Sequence, residues 1–294
     1  MKINSFGQVS KITLGDKLEG LFIEHKNCQA SISLYGGQVL TWQPKNHRPV
    51  FWLSQSSSYQ QGKAIRGGIP LCWPWFGLHH ADIKAEAGNH GFARQQNWRL
   101  DSVELNELGV IVILSWQGRN THPLWPTHCK LEQTLFFGLT FSQVLTMTNL
   151  SDEDVEYTGA LHSYFSVSAP KNITVTELSA LKFDDKLTSQ KGIIEPLLSG
   201  LGPVDRVYWS NSNDKQVMHI VDKAWQRTVE IEAENASQWV FWNPGREVAQ
   251  KMLDIHKDGE QEYICLEVAN TQPQKITAKN TVTIGQTIRV IRHE

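Results

Sequence analysis

Two arginines, a histidine and two carboxylates sit in sequence surroundings where such groups can do chemistry. Arg66 and Arg94 fall in one stretch, Ser54 to Asn97, that mixes Gly62, Gly67, Gly68, Pro70, Pro74, Gly77, Gly88 and Gly91 with Trp73, Trp75, Phe76, His79, His80 and His90. Guanidinium forks match phosphate oxygens two at a time, and Gly67 and Gly68 would let backbone N–H groups approach the same anion. A lone arginine reads equally well as a surface ion pair; two in one loop of this composition favour an anion. Glu267 lies in Tyr263-Ile264-Cys265-Leu266-Glu267-Val268-Ala269, a strand-like run otherwise free of charge. A carboxylate there either reaches solvent or faces a cleft. His162, between Ala160-Leu161 and Ser163-Tyr164-Phe165, reads as either a structural imidazole or an acid–base group. Asp205 by itself reads as a turn aspartate.

The elements that must position these groups are strands. Short apolar runs broken by turn residues recur at Leu21–Ile23, Ala30–Leu34, Val110–Trp116, Cys129–Phe137, Phe141–Thr148, Ile173–Leu178, Gln216–Val221, Thr228–Ile231, Trp239–Trp242 and Thr281–Ile291. Alternation in the Glu267 run sends Tyr263, Cys265 and Glu267 to one face and Ile264, Leu266 and Val268 to the other. No amphipathic helix longer than about ten residues stands out, although Gln250 to His256 could form one helical turn. The expected class is all-β, one domain over residues 1–294, with antiparallel sheets packed face to face. The 54–97 stretch breaks the strand rhythm and is too aromatic for disorder, so it reads as an ordered, site-forming loop.

Composition narrows the partners. Of 294 residues, 40% are hydrophobic and 20% charged, and the formal net charge is −2, which argues against nucleic acid as the partner. Apolar runs such as Val110–Leu114 fall far short of the roughly 20 residues that span a bilayer, and MKINSFGQVS lacks the apolar centre of a secretory signal. No membrane partner and a cytoplasmic location are therefore expected. Cys28, Cys72, Cys129 and Cys265 are widely spaced, suggesting neither a zinc site nor a disulfide framework. His79-His80, His122 and His128 read as surface or packing residues, because neighbours on a strand point to opposite faces. Phosphate-loop, dinucleotide, zinc-protease and Gly-x-Ser-x-Gly signatures are absent.

Five blocks carry a resemblance. Ile65-Arg66-Gly67-Gly68-Ile69-Pro70-Leu71-Cys72-Trp73-Pro74-Trp75-Phe76-Gly77 is followed by Asn89-His90-Gly91-Phe92-Ala93-Arg94. Then come Thr158-Gly159-Ala160-Leu161-His162-Ser163-Tyr164-Phe165, Val204-Asp205-Arg206-Val207-Tyr208, and Tyr263 to Asn270. In this order they resemble the aldose 1-epimerase family, and within it the branch acting on glucose 6-phosphate, from about residue 20 to residue 290. The resemblance implies a galactose-mutarotase-like β-sandwich with an open sugar-binding face and no metal or organic cofactor. It also implies action on a small sugar phosphate, with His162 as general acid and Glu267 as general base; a monomer is expected. Arg66, Asn89, Arg94 and Asp205 match the family's substrate-binding positions, and His90 beside them is expected to meet a sugar hydroxyl. A histidine near its usual pKa of about 6.5 suits the acid, and a carboxylate raised by burial suits the base. Three other readings stay open: an epimerase of free hexoses, a non-catalytic carbohydrate-binding sandwich, and a glycoside hydrolase pairing Glu267 with Asp205. Each of the 11 Trp reads first as core and second as a platform for a sugar ring.

Overall fold

The computed structural model describes every residue except 1, 16, 83, 85, 198, 211–215 and 294; Ile83 and Ala85 of the expected loop thus lie outside the described residues. Strands β1 Lys2–Asn4, β2 Gly7–Leu14, β3 Leu18–His25, β4 Cys28–Ser33 and β5 Gln38–Pro44 form a five-stranded meander. After the two-residue β6 Leu71–Cys72 come β7 Arg99–Leu105, β8 Gly109–Gly118, β9 Cys129–Gly138, β10 Thr140–Asn149, β11 Val155–Leu161 and β12 Tyr164–Ser166. The remainder are β13 Ile173–Thr174, β14 Phe183–Asp185, β15 Val204–Trp209, β16 Gln216–Asp222, β17 Arg227–Glu234, β18 Gln238–Asn243, β19 Tyr263–Ile276 and β20 Thr281–Arg292.

Two large antiparallel sheets result. One runs β13-β16-β17-β20-β10-β9-β8-β7, the other β14-β15-β18-β19-β11-β6 with β12 also on β19. Their facing residues share one core: Trp239, Phe241, Leu266 and Val268 meet Leu131, Leu135, Ile231 and Ile288. The β-sandwich expected from the strand rhythm is therefore present. Trp42, Trp52, Trp73, Trp75, Trp98, Trp125 and Trp239 are buried, so core packing explains most of the large indoles.

A polar chain crosses this core. Gln133 donates to the Gly37 carbonyl (2.6 Å), Gln143 donates to Gln133 (2.8 Å), Gln286 donates to Gln143 (2.9 Å), and Gln286 also meets the Ser163 hydroxyl at 3.1 Å. Each of these glutamines sits on the inward face of its strand.

Two local expectations are corrected. Only Ile173–Thr174 of the run Ile173–Leu178 is strand, and Thr176–Ala180 is a 3₁₀ turn. The helix lies before Gln250, at α1 Gly245–Ala249, where Pro244 is already helical and the Asn243 side chain accepts the Gly245 N–H at 2.9 Å. Gln250 to His256 continues as successive turns, with Lys251 and Met252 donating to Val248 and Ala249. Among the described residues no helix is long and apolar enough to cross a membrane.

Candidate active site

Register builds the floor of the site. Val207 pairs with Val240 and Val240 with Glu267, while Asp205 pairs with Trp242 and Trp242 with Cys265. Partners directly opposite share a face, so Asp205, Trp242 and Glu267 emerge on the same side of the sheet. Val207, Val240 and Ala269 pack with Cys72 and Ala160 on that same face, and Ile264, Leu266 and Val268 turn into the core, as the alternation predicts. Above this floor lies a cavity of about 620 Å³. It is lined by all seven residues singled out from the sequence: Arg66, Asn89, His90, Arg94, His162, Asp205 and Glu267.

His162 follows the end of β11, with its N–H donated to the Pro70 carbonyl (3.1 Å). Its ring lies parallel to that of Tyr164, centroids 4.8 Å apart at 9°, which fixes the imidazole plane. Nε2 then stands 3.4 Å from Glu267 Oε1. Glu267 is 1% exposed. His162 Nδ1, Glu267 Oε2, Arg94 Nε and Thr271 Oγ1 are buried without a hydrogen-bond partner among the described residues, and all four residues line the one cavity. Buried polar atoms are normally paired; these four are left open in residues that line one hollow.

Burial sets the charges. It holds His162 well below the usual 6.5, helped by His90, Arg94 and Arg66, and it holds Glu267 well above the usual 4.5, helped by Asp205. Both shifts favour the uncharged form. The pair is thereby biased toward an imidazole beside a carboxylic acid. The raised carboxyl agrees with expectation, but the histidine does not keep its ordinary pKa, because it is desolvated and lies near cationic arginines. Burial also raises Asp205 from 3.8, with Lys186 opposing and Asp185 assisting.

The loop contributes the cations. Arg66 Nε and Nη2 both reach Asp254 Oδ2 at 2.9 Å, and Nη1 donates to the Tyr164 hydroxyl at 2.8 Å. Arg94 donates from Nη2 to the Asn89 carbonyl (2.7 Å), so Asn89 orients Arg94 with its backbone while its side chain is exposed. His90 occupies the left-handed region at φ 68°. It accepts the Gly77 N–H on Nδ1 (3.2 Å), which leaves Nε2–H as its donor. Burial, then Arg94 and Arg66, push it down to about 3, so this donor is neutral.

The glycines do not cradle an anion. Gly68 gives its N–H to the Trp52 carbonyl (2.7 Å). A Cβ at Gly67 or Gly68 would lie 2.4 Å from the Trp52 oxygen or 2.1 Å from the Val39 oxygen. Both positions also have positive φ, 108° and 63°. They permit close backbone packing. His79 and His80 stack ring on ring at 4.5 Å, because this segment is turn rather than strand and escapes the alternation rule. Among the described residues no group of three or more His, Cys, Asp or Glu is placed to hold a metal.

Sequence reasoning assigned no role to Tyr164, Trp242, Asp254 or Thr271. Thr271 had a signal, since it follows Glu267 by four along β19 and so shares its face. Trp242 is the indole on the cavity wall, half-buried, and offers the flat surface a pyranose ring can stack on.

A family model for aldose 1-epimerase matches residues 21–290 of the chain. The Escherichia coli (strain K12) protein named "Putative glucose-6-phosphate 1-epimerase" is 33% identical over 285 residues, 94% of this chain and 92% of its own. A Salmonella typhimurium relative of the same name is 32% identical over 283 residues, with the same two coverages. The crystal structure of a "putative mutarotase (YeaD)" from Salmonella typhimurium superimposes with a TM-score of 0.89 at 29% identity, covering 99% of this chain and 96% of that one. Galactose 1-epimerase from Lactobacillus acidophilus NCFM gives a TM-score of 0.74 at 11% identity over 99% and 100% of the two chains. That last likeness is one of fold: the galactose-mutarotase-like antiparallel sandwich.

Proposed function

The chain belongs to the aldose 1-epimerase family, an isomerase that interconverts sugar anomers, and on that premise we propose that its substrate is a hexose 6-phosphate, D-glucose 6-phosphate foremost, with His162 and Glu267 moving the protons. One observation carries the substrate: the cavity that contains the His162–Glu267 pair also contains both loop arginines, Arg66 and Arg94. Arg94 gives Nη2 to the Asn89 carbonyl, and a phosphate is the group that suits the guanidinium's remaining donors.

Ring opening needs the anomeric hydroxyl to lose a proton and the ring oxygen to gain one. Glu267 as carboxylate takes the first and His162 as imidazolium gives the second; the C1–O5 bond breaks and the open aldehyde forms. Rotation about C1–C2 presents the other carbonyl face. Closure then runs the transfers backwards, His162 taking the proton from O5 and Glu267 returning one to the carbonyl oxygen. In the open-chain intermediate the pair is neutral imidazole and carboxylic acid. This is the distribution that burial favours, so the site's electrostatics suit the middle of the reaction better than its ends. Direct contact at 3.4 Å provides a route for the shared proton from Glu267 to His162 as the sugar enters. Trp242 offers a face for the ring; Asp205, His90 and Thr271 supply partners for hydroxyls.

The deciding experiment is anomer-exchange NMR on glucose 6-phosphate and on glucose. Faster exchange of glucose than of its 6-phosphate would reject the proposed substrate and point to free hexoses.

The pH dependence follows from the two shifts. Activity needs one proton on the pair. As pH falls, the second proton must go onto His162, whose affinity for it is lowered, so the acid limb lies well below 6.5. As pH rises, the single proton leaves from Glu267, whose affinity is raised, so the alkaline limb lies well above 4.5. The two limits belong to the pair as a unit. The profile is to be read on kcat with glucose, because a phosphate monoester itself titrates near about 6. An acid limb centred at or above 6.5 would contradict the neutral imidazole.

A further inference from the structure

We infer that Asp254 is a positioning residue for phosphate recognition, acting through Arg66; the inference rests on the hexose 6-phosphate reading above. A guanidinium carries five N–H donors in one rigid plane. Asp254 Oδ2 accepts from Nε and lies 2.9 Å from Nη2, and the Tyr164 hydroxyl receives Nη1. Two donors are thereby committed, and the remaining three are held in a plane set by these partners.

Both anchors are themselves fixed. Tyr164 is 1% exposed and stacks on His162, so the residue that locates the imidazole also locates the cation. Asp254 sits in the turn segment after α1, where Ile255 donates to the Met252 carbonyl at 3.0 Å. The next ring, His256, accepts the Gln55 N–H at 3.2 Å and lies over Trp52, centroids 5.6 Å apart. The same segment contributes Met252 to the cavity wall. Asp254 is separated from Arg66 by 188 positions, yet the fold delivers its carboxylate to the edge of the guanidinium.

Two effects of this carboxylate oppose each other. It holds a long, many-rotamer side chain in one geometry, which favours binding by preorganisation, and it repels a phosphate dianion. Asp254 Oδ2 is bound to the guanidinium itself, so the charge nearest to it is the arginine's, and positioning outweighs repulsion.

The test is saturation kinetics by anomer exchange on glucose 6-phosphate and glucose with wild type, Asp254→Ala, Asp254→Asn, Arg66→Ala and the Arg66→Ala/Asp254→Ala double variant. Asp254→Ala is expected to raise KM for glucose 6-phosphate about tenfold, with kcat within about twofold of wild type and a clearly smaller change in KM for glucose. Asn keeps an acceptor for the guanidinium and should recover part of the loss. In the Arg66→Ala background the Asp254 change should add nothing, because the residue it acts through is gone. A fall in KM for glucose 6-phosphate would show repulsion dominating and overturn the inference. So would equal losses on both sugars, or losses that simply add to those of Arg66→Ala. If Arg66→Ala shows no preference for the phosphorylated sugar, the substrate reading fails instead, and the Arg66–Asp254 coupling measured on glucose still decides the positioning role.

Discussion

His162→Asn and Glu267→Gln are each expected to lower kcat for anomer exchange by about 10²–10⁴-fold. Both changes keep volume and hydrogen-bonding capacity but remove the group that gains and loses a proton. Because His162 and Glu267 are both buried, stand 3.4 Å apart and are proposed to carry opposite proton transfers, neither can do the other's work. The double variant should therefore be little worse than either single one, as found for residues that act as a unit. KM should change far less than kcat. The measurement is saturation transfer between the two anomer signals at several substrate concentrations, with circular dichroism to show that the sheets persist. Turnover within tenfold of wild type in a folded variant removes that residue from proton transfer.

Arg66→Ala and Arg94→Ala should each weaken glucose 6-phosphate by about 10- to 150-fold while affecting glucose much less, since hydrogen bonds to charged groups contribute about 1.5–3 kcal/mol. Lysine should rescue only partly, because it restores charge without the planar fork. The two arginines differ in surroundings. Arg94 is anchored by Nη2 on the Asn89 carbonyl, so more of its orientation must be fixed when an anion arrives. Arg66 is held by Asp254 and Tyr164 beforehand, so less orientation remains to be lost. Arg66→Ala should consequently give the larger loss in affinity. Parallel losses on both sugars would defeat the phosphate assignment.

The strands were readable where a period of two is enforced by one buried face. Thr228 to Glu232 alternates in this way, whereas Tyr263 to Val268 is apolar apart from Glu267 and buried on both faces, and strand geometry alone puts Glu267 on the face opposite Leu266. Ile173–Leu178 misled because a short apolar run carries no period that separates strand from a tight turn. Helix α1 was displaced because its start depends on Asn243 and Pro244, at the end of a strand, rather than on any apolar face. The candidate site was legible as residue types, and less so as chemistry. The low proton affinity of His162 comes from burial and from His90, Arg94 and Arg66, none of which adjoins it in the chain. Asp254 left no mark at all, since an aspartate in a turn looks the same whether or not an arginine from a distant loop lands on it.

The glutamines threaded through the core act as a key cut for one lock. Gln143 and Gln286 face each other across β10 and β20, and Gln133 and Ser163 extend the same file of amides and hydroxyl. A slip of one residue in any of these strands would turn its amide out of the file and strand its neighbours among Leu131, Leu145 and Ile288. Each orphaned group would cost about 1–3 kcal/mol. An apolar interior already resists such a slip, because it turns the buried side chains outward; this one adds an unpaired amide at every link. Ser163 is the last link and the residue after His162, so the alignment of the imidazole is inherited from the sheet behind it.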